Sequence, residues 1–458
     1  MPLLLVASYG FYMSWRPIYG ILILGLTVAN FVLVPLIAKA TELKHKKLWL
    51  GLVVAANLIT LAIFKYAYFG MDCVKSGLNL FHIDWNAPHL HIILPLGISF
   101  FVFEFIHYAV EVYRGKPIVT KFMDFALFAS FFPTQIAGPI KRYQDFVPQL
   151  DIPAKFKWEY VDEGMQQILM GLSKKVLLAD NLALVVQAGF THPEKFSSID
   201  MWIITYAFAF QIFFDFSGYT DIARGSALLF GYKVPINFNL PYLAANAADF
   251  WNRWHISLSS WLRDYLFIPL GGSRCTRLVV YRNLFITMAL GGLWHGAGNH
   301  FLLWGAYQGL LLILHREYVR VMEAAGLHAQ LVKSKVYHVF SVIVTFHFVC
   351  VGWVLFRAET EQMCWQIISK LLEAPAALLN FNAAQLTILQ IRDPIIFPAL
   401  ILIVPALMIA HVVVNWLNNK KFYLNPPWPV QVAVMVAMLC VLTIFSPDTS
   451  PRFIYFQF

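Results

Sequence analysis

The feature that most constrains this chain is the length of its apolar runs, which fall at about 2 to 14, 18 to 38, 48 to 69, 92 to 113, 122 to 137, 199 to 217, 280 to 293, 300 to 315, 336 to 356, 394 to 417 and 429 to 445. A helix rising about 1.5 Å per residue needs roughly 20 apolar residues to cross about 30 Å of hydrocarbon. Several runs reach that length, and the pattern predicts about 9 to 12 crossing or re-entrant segments, the shorter ones broken or buried by neighbouring helices. Composition agrees, because 59% of the 458 residues are hydrophobic and 13% are charged, against about 25% charged in ordinary soluble domains. A soluble core cannot hide that much apolar surface. The fold class is all-α and polytopic. No internal repeat, low-complexity tract or flexible linker divides the chain, so residues 1–458 read as one membrane domain.

The 34 Lys and Arg outnumber the 25 Asp and Glu, for a formal charge of +9. The excess gathers in short loops beside apolar runs: Lys39, Lys44, Lys46 and Lys47; Arg114 and Lys116; Arg274 to Arg282; Lys420 and Lys421. That is where the positive-inside bias and anionic lipid headgroups place it, and no nucleic-acid motif competes. Lys44 and Arg277 are expected in the cytoplasm and Asp84, in the base-poor stretch from Met71 to His91, outside. The cysteines Cys73, Cys275, Cys350, Cys364 and Cys440 lack CxxC spacing, which argues for small core residues rather than disulfides or a thiolate metal site. The opening run from Pro2 to Trp15 has no basic n-region or small-residue cleavage site and reads as a membrane helix rather than a signal peptide.

Two regions are amphipathic, about Tyr160 to Ala188 and Asp249 to Phe267. The second opens with Asn246 three residues before Asp249, a capping arrangement. On one continuous helix, Trp251, Trp254, Leu258, Trp261, Leu262 and Tyr265 form the apolar face, Asp249, Asn252, Ser259 and Arg263 the polar face, and His255 the border. A Trp-rich helix of this kind suits the membrane interface or the wall of a polar cavity.

The sharpest polar feature is Gly291-Gly292-Leu293-Trp294-His295-Gly296-Ala297-Gly298-Asn299, set in otherwise apolar surroundings. An imidazole there is costly unless it meets a polar partner or water, so function is the default reading. The competing reading is a core histidine that bonds a carbonyl and helps helices pack. Glycines on both sides let another helix, or a substrate, approach the backbone closely. His255 lies 40 residues earlier (295 − 255) in Trp251-Asn252-Arg253-Trp254-His255-Ile256-Ser257-Leu258-Ser259. Its competing reading is an interfacial anchor. Together the histidines could flank a reacting hydroxyl, one as base and the other as a positioning group.

The stretch from Phe250 to Tyr265, followed by Pro269-Leu270-Gly271-Gly272, Arg282-Asn283-Leu284 and Gly291 to Gly296, resembles the MBOAT superfamily, above all its AlgI branch of alginate and related polysaccharide O-acetyltransferases. The resemblance extends to Leu94-Pro95-Leu96-Gly97-Ile98-Ser99-Phe100 with Glu104, to Ala137-Gly138-Pro139-Ile140, to Asp215-Phe216-Ser217-Gly218-Tyr219-Thr220-Asp221 and to the terminal Phe453-Ile454-Tyr455-Phe456-Gln457-Phe458. It spans nearly the whole chain, with a signature core at about 210–310. One departure is that AlgI-like chains usually begin with a further hydrophobic segment before the run matching Leu3 to Tyr9. The resemblance implies a ring of tilted transmembrane helices around a central tunnel, with amphipathic and re-entrant helices. It makes His295 the catalytic histidine and His255 the second polar position.

What the resemblance implies for function is an acyltransferase of the bacterial inner membrane. It would pass acetyl from a cytoplasmic thioester, acetyl-CoA or an acyl-carrier protein, to an extracytoplasmic acceptor or to a serine acetyltransferase partner of the SGNH type. No tightly bound cofactor is required. Alginate is the favoured polysaccharide; peptidoglycan, cellulose, a DltB-like D-alanyl transfer and, in a different class, a transporter are the alternatives. Asn252, Arg253, Trp294, Asn299, Asp215 and Asp221 are candidate tunnel or substrate-positioning residues. Asn299, four residues after His295, would share its face if the helix continued. Asp215 and Asp221, with Gln211 nearby, could line the tunnel or pair structurally with an arginine. Arg274, Arg277 and Arg282 are candidates for docking the anionic donor, against ordinary positive-inside topology. Glu104, His107 and Glu111 mimic metal-ligand spacing, but a histidine base needs no metal and none is assigned.

Overall fold

The computed structural model describes residues 1–86, 88, 90–152, 155–379, 386, 396–420, 427–446 and 453, with side chains omitted over 396–404. Lys421, positions 394 and 395 of the tenth apolar run, and all of the terminal motif after Phe453 lie outside the described residues. Among the described residues every regular element is helical, and no strand occurs. In chain order the helices are α1 (Pro2–Met13), α2 (Pro17–Lys39), α3 (Leu43–Leu61), α4 (Ala67–Asn79), α5 (Ile98–Tyr113), α6 (Phe122–Ser130), α7 (Tyr143–Leu150), α8 (Trp158–Leu172), α9 (Asp180–Thr191), α10 (Ser198–Leu229), α11 (Ala247–Arg253), α12 (Ile256–Leu262), α13 (Arg277–His295), α14 (Asn299–Ala324), α15 (His328–Lys333), α16 (Lys335–Arg357), α17 (Glu361–Leu379), α18 (Ile396–Asn419) and α19 (Trp428–Phe445).

Most apolar runs became helices close to their expected bounds. Five helical stretches among the described residues are long and apolar enough to cross a bilayer: Pro17–Lys39, Leu43–Asn79, Ser198–Leu229, Lys335–Arg357 and Trp428–Phe445. They differ in surroundings. The apolar window of Ser198–Leu229 is 72% buried in protein and that of Trp428–Phe445 only 6%, so the first packs mostly against protein and the second leaves most of its side chains uncovered. The opening run is a helix of 12 residues, short of the roughly 20 that a span needs. The cysteines correct the core expectation: Cys350 is buried, but Cys73, Cys275 and Cys440 are exposed. Cys73 and Cys440 lie on helices, where a thiol is apolar enough to need no burial in protein, whereas Cys275 lies in a loop and donates to the Gly271 carbonyl at 3.2 Å.

The chain forms two compact units, one of Met1–Ile168 with Ile222–Ile236, the other of Leu169–Asp221 with Asn237–Phe458. The first has an aromatic core around Phe101, Phe105, Tyr108, Phe125, Phe128, Phe131 and Phe146. Two of the resemblance motifs meet there. Gly97 adopts φ +69°, and a Cβ at that position would lie 2.4 Å from the Gln135 carbonyl oxygen, so only glycine fits. Downstream, the loop carrying Ala137 to Ile140 delivers Lys141 to Glu104 at 2.8 Å, with the two side chains 2% and 5% exposed. Thr134 Oγ1 accepts a further bond from the same ammonium at 2.8 Å. Glu104, His107 and Glu111 do share a helix face, but each takes a different partner: Lys141, Gln144 and Arg114 respectively.

The second unit is built on a core that includes Phe210, Phe213, Tyr242, Phe250, Trp254, Trp304 and Trp353. The amphipathic region 160–188 is helical but passes from α8 to α9 through a π-helical segment, Ser173–Ala179, that carries Lys174 and Lys175. Such segments displace side chains from the regular helical register and often occur where function requires it.

Candidate active site

The stretch expected as one amphipathic helix over 249–267 is broken. Asn246 does cap α11, its side chain accepting the Asp249 N–H. The chain then leaves helical geometry at Trp254, and His255 takes a left-handed conformation with φ +43° before α12 begins. For a residue with a Cβ this conformation costs roughly 1–2 kcal/mol, which neighbouring contacts must offset. The predicted faces survive the break. Trp251, Trp254, Leu258, Trp261, Leu262 and Tyr265 are all buried, whereas Asn252 and Arg263 are exposed. Trp251 and Trp254 join an aromatic cluster inside the unit rather than sitting at an interface: the Trp254 and Trp353 rings lie 4.8 Å apart and Trp251 and Trp304 5.9 Å. The kink turns His255 from the helix border into a side chain with 0% exposure.

His295 is the last residue of α13, and Gly296 leaves the helix in an extended conformation. A Cβ on Gly296 would lie 1.9 Å from the Phe301 ring, and one on Gly292 2.2 Å from the Phe301 carbonyl oxygen. Gly305 of α14 faces back, where a Cβ would meet the Met288 carbonyl oxygen at 2.3 Å. These glycines therefore admit a neighbouring helix, α14, whose backbone lies against α13. The helix break corrects the expectation for Asn299: it is the first residue of α14, exposed, and does not share a face with His295.

Kink and helix end bring the two histidines together. Their ring centroids are 6.3 Å apart. Trp294 packs against both, at 5.0 Å from His295 and 5.9 Å from His255. Trp304 and Phe356 meet the His295 ring edge-on at 5.2 and 5.5 Å, and Phe216 of α10 meets His255 at 4.7 Å. His295 is 7% exposed. The result is two buried imidazoles enclosed largely by aromatic rings, where a hydrogen bond or developing charge is felt more strongly than in water.

The other candidates are placed elsewhere. Arg253 reaches back to Asp249 at 2.7 Å and to the Asn239 carbonyl at 3.4 Å, and Asn252 is exposed. The carboxylates near Phe216 are paired, but with lysine rather than arginine. Lys175 bridges Asp180 at 2.5 Å and Asp215 at 2.9 Å, and Lys174 holds Asp221 at 2.5 Å. The π-helical segment sets those two neighbouring lysines beside carboxylates from α9 and α10, and two adjacent cations within an amphipathic run were the available signal. Arg274, Arg277 and Arg282 are exposed. Arg282 donates to Asn283 Oδ1 at 2.9 Å, and Asn283 in turn holds the Gly272 carbonyl at 3.3 Å, so this arginine also fastens the Pro269–Gly272 loop. Trp304, Phe356 and Lys174 with Lys175 were not singled out from sequence; aromatic residues in apolar helices have no pattern that separates a site wall from core.

A separate cleft of about 470 Å³ lies along α14 and α16, lined by Gln308, His315, Tyr318, Tyr337 and His338 among others; neither His255 nor His295 lines it.

Residues 48–356 match the family model described as MBOAT, the membrane-bound O-acyltransferase family. The chain is 38% identical to the Probable alginate O-acetylase AlgI of Pseudomonas aeruginosa over 93% of its own length and 77% of that protein's. It is 37% identical to the peptidoglycan O-acetyltransferase of Helicobacter pylori, over 80% of this chain and 72% of that one. Similarity to the teichoic acid D-alanyltransferase of Bacillus subtilis is lower, 30% over 61% of this chain and 73% of that one. The family model over residues 48–356 and these matches across most of the chain show that it belongs to the membrane-bound O-acyltransferase family and is a multi-pass membrane acyltransferase.

Proposed function

We propose that this protein is a membrane O-acetyltransferase of the bacterial inner membrane that moves acetyl from a cytoplasmic thioester to an extracytoplasmic hydroxyl in exopolysaccharide modification. The observation that carries the reading is the pair of buried imidazoles with ring centroids 6.3 Å apart in an aromatic enclosure. A thioester is already activated, so the protein needs mainly to orient it and to deprotonate the nucleophile. His295 takes the proton from the acceptor hydroxyl as the oxygen attacks the acetyl carbonyl. The carbon–sulfur bond then breaks, the thiolate leaves with the proton returned to it, and the acetyl group rests on oxygen. His255 positions the reacting group by a hydrogen bond. The donor reaches the histidines by the tunnel that the family resemblance implies. The acceptor is either the polysaccharide itself or the serine of an SGNH-type partner, making this chain one half of a relay. Alginate is favoured over peptidoglycan because similarity to the alginate O-acetylase covers 93% of the chain against 80%.

The experiment is transfer in proteoliposomes, with labelled acetyl-CoA or acetyl-carrier protein supplied on one face and a serine acetyltransferase on the other. Label is expected on the partner's serine. Transfer of D-alanine in its place, from a D-alanyl carrier protein, would overturn the acetyl reading. The donor-docking role is tested in the same system. Replacing Arg274, Arg277 and Arg282 with Gln is expected to weaken donor KM, more at low salt than at high, because charge attraction is screened over about 8 Å at physiological ionic strength. An unchanged KM in correctly inserted protein would assign these arginines to topology and to holding the Pro269–Gly272 loop.

A further inference from the structure

The left-handed turn at His255 is held from both sides by one short non-helical segment, residues 237–239. On the upstream side the Asn239 N–H donates to the Arg253 carbonyl at 3.0 Å. On the downstream side the Ile256 N–H donates to the Asn237 carbonyl at 3.0 Å, and the Ser257 N–H and hydroxyl donate to Asn237 Oδ1 at 3.2 and 2.6 Å. The Asn237 amide N–H reaches Thr220 Oγ1 of α10 at 3.5 Å, a long contact that ties the segment to the helix carrying Phe216. Asn237 is fully buried, with 0% exposure. Its one side-chain oxygen thus receives two donors at the start of α12, where helix N–H groups have no partner within the helix. No other residue type supplies an uncharged acceptor and a donor in that shape.

We propose that Asn237 is a positioning residue: by bonding the chain immediately after His255, it holds that residue in the conformation that presents its ring to His295. Without Asn237 Oδ1 the start of α12 loses two acceptor bonds, and the chain at residue 255 is free to relax toward the right-handed geometry that a side chain prefers. The ring then leaves its place beside Phe216 and Trp294. Asn237 touches no reacting atom; it acts through the backbone. The inference rests on the proposed function for the role of His255 in turnover, whereas the positioning itself can be read without activity.

The test uses the full chain in detergent and in proteoliposomes. Diethyl pyrocarbonate modifies accessible imidazoles, and peptide mass spectrometry reports each histidine. Asn237→Ala is expected to raise modification of His255 about tenfold, as a locally opened segment would, and Ser257→Ala by less, with His347 unchanged in both. In proteoliposomes Asn237→Ala is expected to lower kcat by about ten- to a hundredfold with donor KM within about twofold, a split that general loss of folded protein would not leave in monodisperse, matched samples. Should Asn237→Ala not accumulate, Ser257→Ala carries the comparison. Unchanged His255 reactivity in the variants that fold, or an equal rise at every histidine, would overturn the positioning role. A selective rise at His255 with unaltered turnover would uphold it and instead remove His255 from the proposed mechanism.

Discussion

His295→Ala is expected to abolish acyl transfer, lowering turnover by about 10²- to 10⁴-fold, the usual contribution of a positioned general base, while membrane abundance stays close to normal. The reason for expecting activity and folding to separate is local. The close backbone contacts that join α13 to α14 run through Gly292 and Gly305, and they do not depend on the imidazole. Truncation does remove ring contacts with Trp294, Trp304 and Phe356, so thermal stability should fall modestly. His255→Ala should cost less in rate, because water can replace part of a positioning hydrogen bond. The measurement is transfer of labelled acetyl in proteoliposomes with matched, monodisperse protein. Near-normal transfer by folded His295→Ala would rule out the base and leave a histidine that serves packing alone.

The largest effect on stability is expected in the other unit, at the Glu104–Lys141 pair. Both side chains are almost fully buried, at 5% and 2% exposure, so removing one partner strands the other's charge. Breaking a buried pair in this way typically costs about 3–5 kcal/mol. Lys141→Met should therefore sharply reduce thermal stability in detergent and abundance in the membrane. Replacing both partners, Glu104→Leu with Lys141→Met, should recover much of the loss, because paired desolvation is costly in the native protein too. A thermal-shift series on wild type, both single variants and the double variant reads this directly. If Lys141→Met were as stable as wild type, the ion pair would have to be counted as incidental to the fold.

The two predictions differ in how far the sequence anticipated them. His295 was legible because an ionisable group among apolar residues and glycines is expensive and rare. The resemblance of residues 250–296 to a known family then implied a role for it. Glu104 was legible as part of the family resemblance and of a spacing that mimics metal ligands. Its partner Lys141 lies 37 residues away, and no local rule links a carboxylate on one helix to a lysine in a loop after another. Lys174 and Lys175 were visible as adjacent cations in an amphipathic run, but their carboxylate partners could not be read for the same reason. Asp215 and Asp221 were expected to need a cation, which is a local energetic requirement, but which cation supplies it is a question of three-dimensional proximity.

The sequence by itself determined the helical class, the membrane environment, the approximate bounds of the apolar helices and which face of residues 249–267 is buried. These follow from local chain length and periodicity, since a bilayer requires each span to satisfy its own backbone and a buried face repeats with the helix. Only the tertiary structure decided that this region breaks at His255, that α13 stops at His295 and that Asn299 starts a new helix away from the site. A left-handed residue is unfavourable on its own. It persists here because Asn237 and Asn239, 18 and 16 residues earlier (255 − 237 and 255 − 239), supply bonds on both sides of it, and such long-range compensation has no local signature from which a sequence pattern could foretell it.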